Sequence, residues 1–337
     1  MPSALRRKER ATKKSDASKC GAMAPEVASV SCVQSKASAV LHGQKHQLLI
    51  SANAASDVGK RQWIAKLDMS FLPKQGKTRL THLSHLGPLR VQKPFYPEDD
   101  GCCHVYVLHP PGGMVVGDEL TISAEVHEGA KVLLTTPSAG KIYGAKHLTH
   151  PQLQTINLSV ENDGCIEWLP QETIVFDGAN GRLATRITMS EHSRLFVWDI
   201  VRLGRAASGE KFEHGVCYQS LEIWQGDTPY FIERNCFAGG AELQSAKWGM
   251  QGANTTGTLC ATLSAPRELI DECLTYLNSA SGGDLGLWGL TQKNALFVAR
   301  YLGDSVSQCR HGFEYLWRTL RPLLNNKTAV VPRIWQT

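Results

Sequence analysis

No stretch of this 337-residue chain approaches the run of about 18 apolar residues that a membrane-spanning helix needs, so no helical span is expected. Its ten cysteines include no Cys-x-x-Cys pair, which removes the spacing of a zinc ribbon or a dithiol redox centre. A Gly-x-Ser-x-Gly nucleophile elbow is missing too. Gly76-Lys77-Thr78 ends like a phosphate-binding loop, but Phe71 stands where the first glycine is required, so the backbone cradle is lost. His127-Glu128 begins like a zinc-protease helix, yet Lys131 occupies the place of the second histidine. These gaps point away from an enzyme.

Charge of one sign is also scarce over most of the chain. The formal net charge is +5, and residues 1–20 alone hold seven basic residues against two acidic ones. The remainder is therefore close to neutral and offers no basic face for nucleic acid. Residues 1–45 are rich in Ser, Ala and Lys without a sustained period. They read as a disordered basic extension preceding a domain over 46–337. The tail lacks the apolar core of a secretory signal, so free thiols in a reducing, cytoplasmic setting are expected.

What is present is mostly strand and turn. Val132-Leu133-Leu134, Leu195-Phe196-Val197-Trp198 and Leu296-Phe297-Val298 read as strands buried on both faces, and Ile223 to Ile232 reads as a hairpin. Segments 126–134, 160–168 and 189–197 share one shape, a strand end, a polar turn and another strand. They recur about every 30–35 residues, the spacing of stacked β-coils or of a common turn pattern repeated by chance. Two helices are expected late, one starting at Pro266 and one capped by Asp304 and stopped by Pro322.

Two constellations carry chemistry. Cys102-Cys103-His104, followed by His109, offers thiol and imidazole ligands suited to late divalent metals. On a strand, Cys102 and His104 share one face and Cys103 takes the other. Cys103, His104 and His109 are the candidate weak metal ligands, with burial in a core as the alternative. The run Glu167 to Asp177 sets three carboxylates among bulky apolar residues. Glu167, Glu172 and Asp177, with Asp118, either face solvent at a strand edge or line an internal polar passage.

At these residues the sequence resembles the urease accessory protein D family, also called H in some systems. The matching blocks include Arg90 to Glu98, His109-Pro110-Pro111-Gly112-Gly113, Thr135-Thr136-Pro137 with Lys141 and Tyr143, and Glu167 through Ala179. They continue with Gly204-Arg205, Gly209-Glu210, Phe212, Arg300 to Gly303 and Pro332 to Thr337. Val116 departs from the family's usual glycine before Gly117-Asp118, and Gly144 from an arginine that often follows the tyrosine.

The resemblance implies a mainly β fold: a β-helical, solenoid-like body of many strands with two helices in the C-terminal half. It implies a non-enzymatic maturation factor acting with urease accessory protein F and the GTPase urease accessory protein G on apo-urease. Nickel would pass transiently through an internal channel, with no tightly bound cofactor, no nucleic acid and no membrane partner. A metal-dependent hydrolase built on Cys103, His104 and His109, and a plain adaptor with no nickel path, are the rival readings. Removing residues 1–45 is expected to leave thermal unfolding unchanged, as followed by circular dichroism. A truncated chain that fails to fold would overturn the boundary.

Overall fold

The alternating patterns of the sequence resolve into strands over most of the chain. The computed structural model describes residues 63–145, 150–283 and 286–336, all within one compact unit, Val58–Thr337. The basic extension and the Leu48-Leu49-Ile50 run lie outside the described residues. In chain order the elements are β1 (Ile64–Lys74), β2 (Lys77–Leu86), β3 (Arg90–Val91), β4 (Cys103–Leu108), β5 (Glu119–Val126), β6 (Lys131–Thr135) and β7 (Gly140–Ile142). Then come β8 (Gln152–Val160), β9 (Cys165–Leu169), β10 (Thr173–Val175), β11 (Ala179–Met189), β12 (Arg194–Leu203), β13 (Gly215–Gln225) and β14 (Thr228–Ala238). The one-turn α1 (Glu242–Ser245) precedes β15 (Thr255–Ala261), α2 (Arg267–Ala280), β16 (Trp288–Lys293), β17 (Leu296–Gly303) and α3 (Val306–Asn325).

The fold is mainly β, and no closed barrel forms among the described residues. One sheet runs β14-β13-β11-β8-β5-β1-β2, and the other runs β16-β17-β15-β12-β9-β6-β4-β3. From β4 to β13 the chain alternates between them, apart from the short β7 and β10, so neighbours within a sheet pair in parallel. The three similar sequence segments lie side by side: Val126, Val160 and Met189 are register partners. Their polar turns bond one to the next, Glu161 N donating to Val126 O and Ser190 N to Val160 O.

Period-2 alternation on the second sheet supplies two cores. Val132, Leu134, Ile166, Trp168 and Val197 point between the sheets, where they meet Leu67, Ile122 and Ile187 of the first. Leu133, Leu169, Phe196 and Trp198 point the other way, onto α2 and α3. This explains the short apolar runs, since a strand buried on both faces has no polar side to show.

The helices differ from expectation in detail. Pro266 is the residue before α2 rather than its first member. Ser305, not Asp304, caps α3, its hydroxyl accepting from Gln308 N at 3.1 Å. Asp304 instead accepts from Asn254 N. Pro322 does not stop α3; the helix continues to Asn325 and closes at Asn326 in the left-handed conformation. A proline near a helix end forfeits one amide bond, a cost that packing of Leu320, Arg321 and Leu324 offsets. Helix α3 lies close to the sheet: a Cβ at Gly257 on β15 would come within 2.6 Å of the Cys309 sulfur.

The C-terminal segment docks back on the second sheet. Trp335 packs against Trp198 and Trp317, each 5.6 Å between ring centroids, and its Nε1 donates to Thr135 Oγ1 at 2.8 Å. Trp335→Ala is therefore expected to cost about 2–3 kcal/mol, read from urea unfolding. An unchanged midpoint would mean that the segment contributes nothing.

Candidate functional site

Between the sheets lies a cavity of about 330 Å³. Its floor comes from register columns of the first sheet: Leu120, Gln154 and Leu183 in one row, Ile122, Ile156 and Thr185 in the next. Val107, Trp168 and Asp199 close it from the second sheet, and His109 and the 136–141 segment form the rim. Polar side chains inside an apolar sandwich need partners, and here they form a thread. Gln219 continues the Leu120 row and donates to Asp199 Oδ2 at 2.8 Å across the sandwich, while accepting from Asn235 Nδ2 at 2.9 Å. Asn235 in turn lines a second cavity of about 460 Å³, shared with Cys236, Trp248, Arg300 and Tyr301.

Asp199 is the electrostatic centre of this thread. Burial pushes its carboxyl up to about 6, against the Gln219 hydrogen bond and with help from the nearby Glu233 charge. Glu233 accepts from Thr258 Oγ1 at 2.7 Å and from Arg300 Nε at 2.9 Å. One carboxylate is thus paired with a cation and the other is held by a neutral amide.

A second polar cluster sits on the opposite face of the second sheet, under α3. Arg321, fully buried, donates Nη1 and Nη2 to both oxygens of Glu98, at 2.9 and 2.7 Å. Its Nε reaches Glu167 at 2.9 Å, and Trp317 Nε1 donates to the same carboxylate at 2.5 Å. His104 Nε2 lies 2.7 Å from Glu98 Oε1. Burial alone would raise the Glu98 carboxyl, but hydrogen bonds from His104 and Arg321 outweigh it and hold it below its usual range. Arg321 also donates to Thr328 O at 2.7 Å, which fixes the start of the C-terminal segment.

The residues singled out from sequence are distributed among these places. Cys103 belongs to the core between the sheets, its thiol pushed up to about 11 by burial, whereas His104 faces α3. The two lie on opposite faces of β4, so Cys103, His104 and His109 are not brought together. Cys102 shares the His104 face, as strand alternation requires. His109 is on the cavity rim; burial lowers its pKa and the charge of Asp118 opposes that. Asp118 accepts from Val115 N at 2.8 Å in the turn before β5.

The other carboxylates stand apart from the cavity. Glu167 is a partner of Arg321. Glu172 has one buried oxygen without a hydrogen bond, 3.8 Å from Arg310. Asp177 accepts from the amides of Glu213 and His214 at 2.7 Å each, in an outer loop. A Cβ at Gly144 would fall 1.7 Å from Asp177 O, so this loop requires glycine there.

Asp199, Gln219, Glu233, Asn235 and Arg321 were missed from sequence. The signal for Asp199 was available, a lone carboxylate inside the apolar run Leu195 to Leu203. Arg321 likewise sits on the apolar stripe of α3, four residues after Trp317.

A two-sheet β body with a polar thread through its interior and a helical layer on one side defines the class of protein. Residues 64–336 match the family model described as UreD urease accessory protein. Among similar proteins, the urease accessory protein UreD of Saccharophagus degradans is 50% identical over 288 residues, covering 86% of this chain and 98% of that protein. UreD of Hahella chejuensis is 38% identical over 86% of this chain and 95% of its own length. UreD of Klebsiella pneumoniae is 41% identical over 82% and 97%. The chain belongs to the UreD family of urease accessory proteins, and urease maturation is the role this membership carries.

The raised Asp199 carboxyl has a stability consequence. Its folded pKa exceeds the ordinary 3.8, so its contribution to stability is complete below 3.8 and is lost as pH rises through about 6. Asp199→Asn is therefore expected to be more stable than the parent by about 2 kcal/mol near neutral pH. The difference should vanish in acid, as measured by urea unfolding at several pH values. A destabilised Asn variant at neutral pH would contradict the buried, under-paired state of this carboxylate.

Proposed function

We propose that this chain is a non-enzymatic conduit that hands nickel toward apo-urease in the cytoplasm, working in a complex with urease accessory proteins F and G. The body acts as a β-helical solenoid whose interior holds the path. The single observation that carries the reading is the thread Asp199–Gln219–Asn235, which crosses the sandwich and joins two cavities. His109, on the rim of the first cavity, supplies an entrance, with the charge of Asp118 acting on its imidazole.

Nickel is cargo here, not a resident cofactor. Carboxylate and amide oxygens hold a late divalent ion more weakly than thiolate or imidazole do, so a path lined by them releases what it receives. Asp199, held by a neutral amide rather than a cation, is the oxygen donor with charge to spare. It exchanges a proton for the ion and gives the ion up again. Nucleotide chemistry falls to the GTPase partner, in keeping with the incomplete phosphate loop at Gly76-Lys77-Thr78.

The hydrolase rival loses support because its ligands Cys103 and His104 face opposite sides of β4. The adaptor rival differs from the conduit in one measurable respect. Asp199→Asn and Glu233→Gln should keep co-purification with accessory proteins F and G. Loss of one charged step worth about 1.4 kcal/mol should lower nickel-dependent urease activation about tenfold. Normal activation by folded, complex-forming variants would sink the conduit and leave the adaptor.

A further inference from the structure

The cluster beneath α3 contains three residue types that ligate metals. Glu98, Cys102 and His104 each offer one donor atom, and these atoms lie within 4.8 Å of one another. All three are buried, at 8%, 3% and 0% exposure. His104 spends Nε2 on Glu98, and its Nδ1 has no hydrogen-bond partner. That unpartnered Nδ1 can carry the ring proton, which leaves the Nε2 lone pair for a cation in place of the Glu98 hydrogen bond.

We propose that Glu98, Cys102 and His104 form a binding site for a late first-row divalent cation, separate from the passage between the sheets. One sulfur, one imidazole nitrogen and one carboxylate oxygen make a mixed set that favours nickel, cobalt or zinc over magnesium or calcium.

Charge supports the assignment. Glu98 and Glu167 place two carboxylates against the single guanidinium of Arg321. Coordination by Cys102 releases its thiol proton to solvent and adds a third negative charge. A divalent ion then leaves the buried cluster neutral, the state a low-dielectric interior favours. Arg321 already donates to both oxygens of Glu98, so a cation bound there shares that carboxylate with the guanidinium.

Geometry asks for a small adjustment. Metal–nitrogen and metal–oxygen bonds near 2.1 Å at a tetrahedral angle need an N···O separation of about 3.4 Å. The present His104–Glu98 contact is 2.7 Å. Glu98 lies in the loop between β3 and β4, flanked by the exposed Pro97 and Asp99. Local opening of that loop gives the ion a route and supplies the extra width.

The ligands sit on the helix-facing side of β4, whereas Asp199 and the cavity lie on the other side of the sheet. The two sites can therefore be tested apart. The full chain, kept reduced, is titrated with Co²⁺ and then with Ni²⁺. The parent should bind one equivalent of Co²⁺ with a near-ultraviolet thiolate-to-cobalt band that Ni²⁺ displaces. Cys102→Ser should lose the band and at least about tenfold in affinity. Cys103→Ser, on the opposite face, and Asp199→Asn should keep both. A folded parent without the band, a band that survives in Cys102→Ser, or one lost in Cys103→Ser would overturn the site.

Discussion

Arg321 is the constraint around which the helical side of the molecule is arranged. Its guanidinium is fully buried and reaches Glu98 from a loop, Glu167 from β9 and the carbonyl of Thr328 from the C-terminal segment. A buried charge is tolerable only when its donors are met, and here three separate parts of the chain must arrive together to meet them. The same requirement explains why α3 runs past Pro322, since the turn that carries the proline also carries the arginine. Removing one partner of such a group leaves a charge stranded in the core and typically costs about 3–5 kcal/mol.

The interior on the other side depends on register. Because β5, β8, β11 and β13 pair in parallel without a shift, every inward residue stands beside its counterpart on the next strand. A polar residue placed on the same row as Gln154 is thereby added to a continuous line rather than scattered through the core. Gln219 is such a residue, and it meets Asp199 from the facing sheet. An antiparallel sandwich of similar composition would place successive segments in alternating directions, and its polar residues would not recur at one height.

Several of these features were legible in the sequence. The β13–β14 hairpin was written in the Gln225-Gly226-Asp227 turn, and the strands buried on both faces in short runs without polar residues. The opposition of Cys102 and Cys103 followed from period-2 geometry alone. Pairing partners were not legible. Glu167 looked like a passage carboxylate because nothing local reveals that Arg321, 154 residues away, occupies it. Asp177 stood out in the same run, yet backbone amides of a later loop satisfy it. Sequence marks a carboxylate among apolar neighbours but does not say which distant group has claimed it.

The distinction between claimed and unclaimed carboxylates separates the two polar systems of the second sheet. On β9, Glu167 faces α3 and Trp168 faces the cavity; on β12, Trp198 faces α3 and Asp199 faces the cavity. Alternation thus gives each face one carboxylate and one tryptophan. On the helix side the carboxylate is closed off by Arg321 and Trp317, so its charge serves packing. On the cavity side the carboxylate has a neutral amide and empty space beside it, and its charge remains to be met. A group held in that condition weakens the fold near neutral pH. Packing gives no reason to keep it, because an apolar residue would fill the cavity at lower cost. Under the proposed conduit, an exchangeable cation would supply the missing charge, and the cavity and the unfavourable residue on its wall are the two features such a path would use.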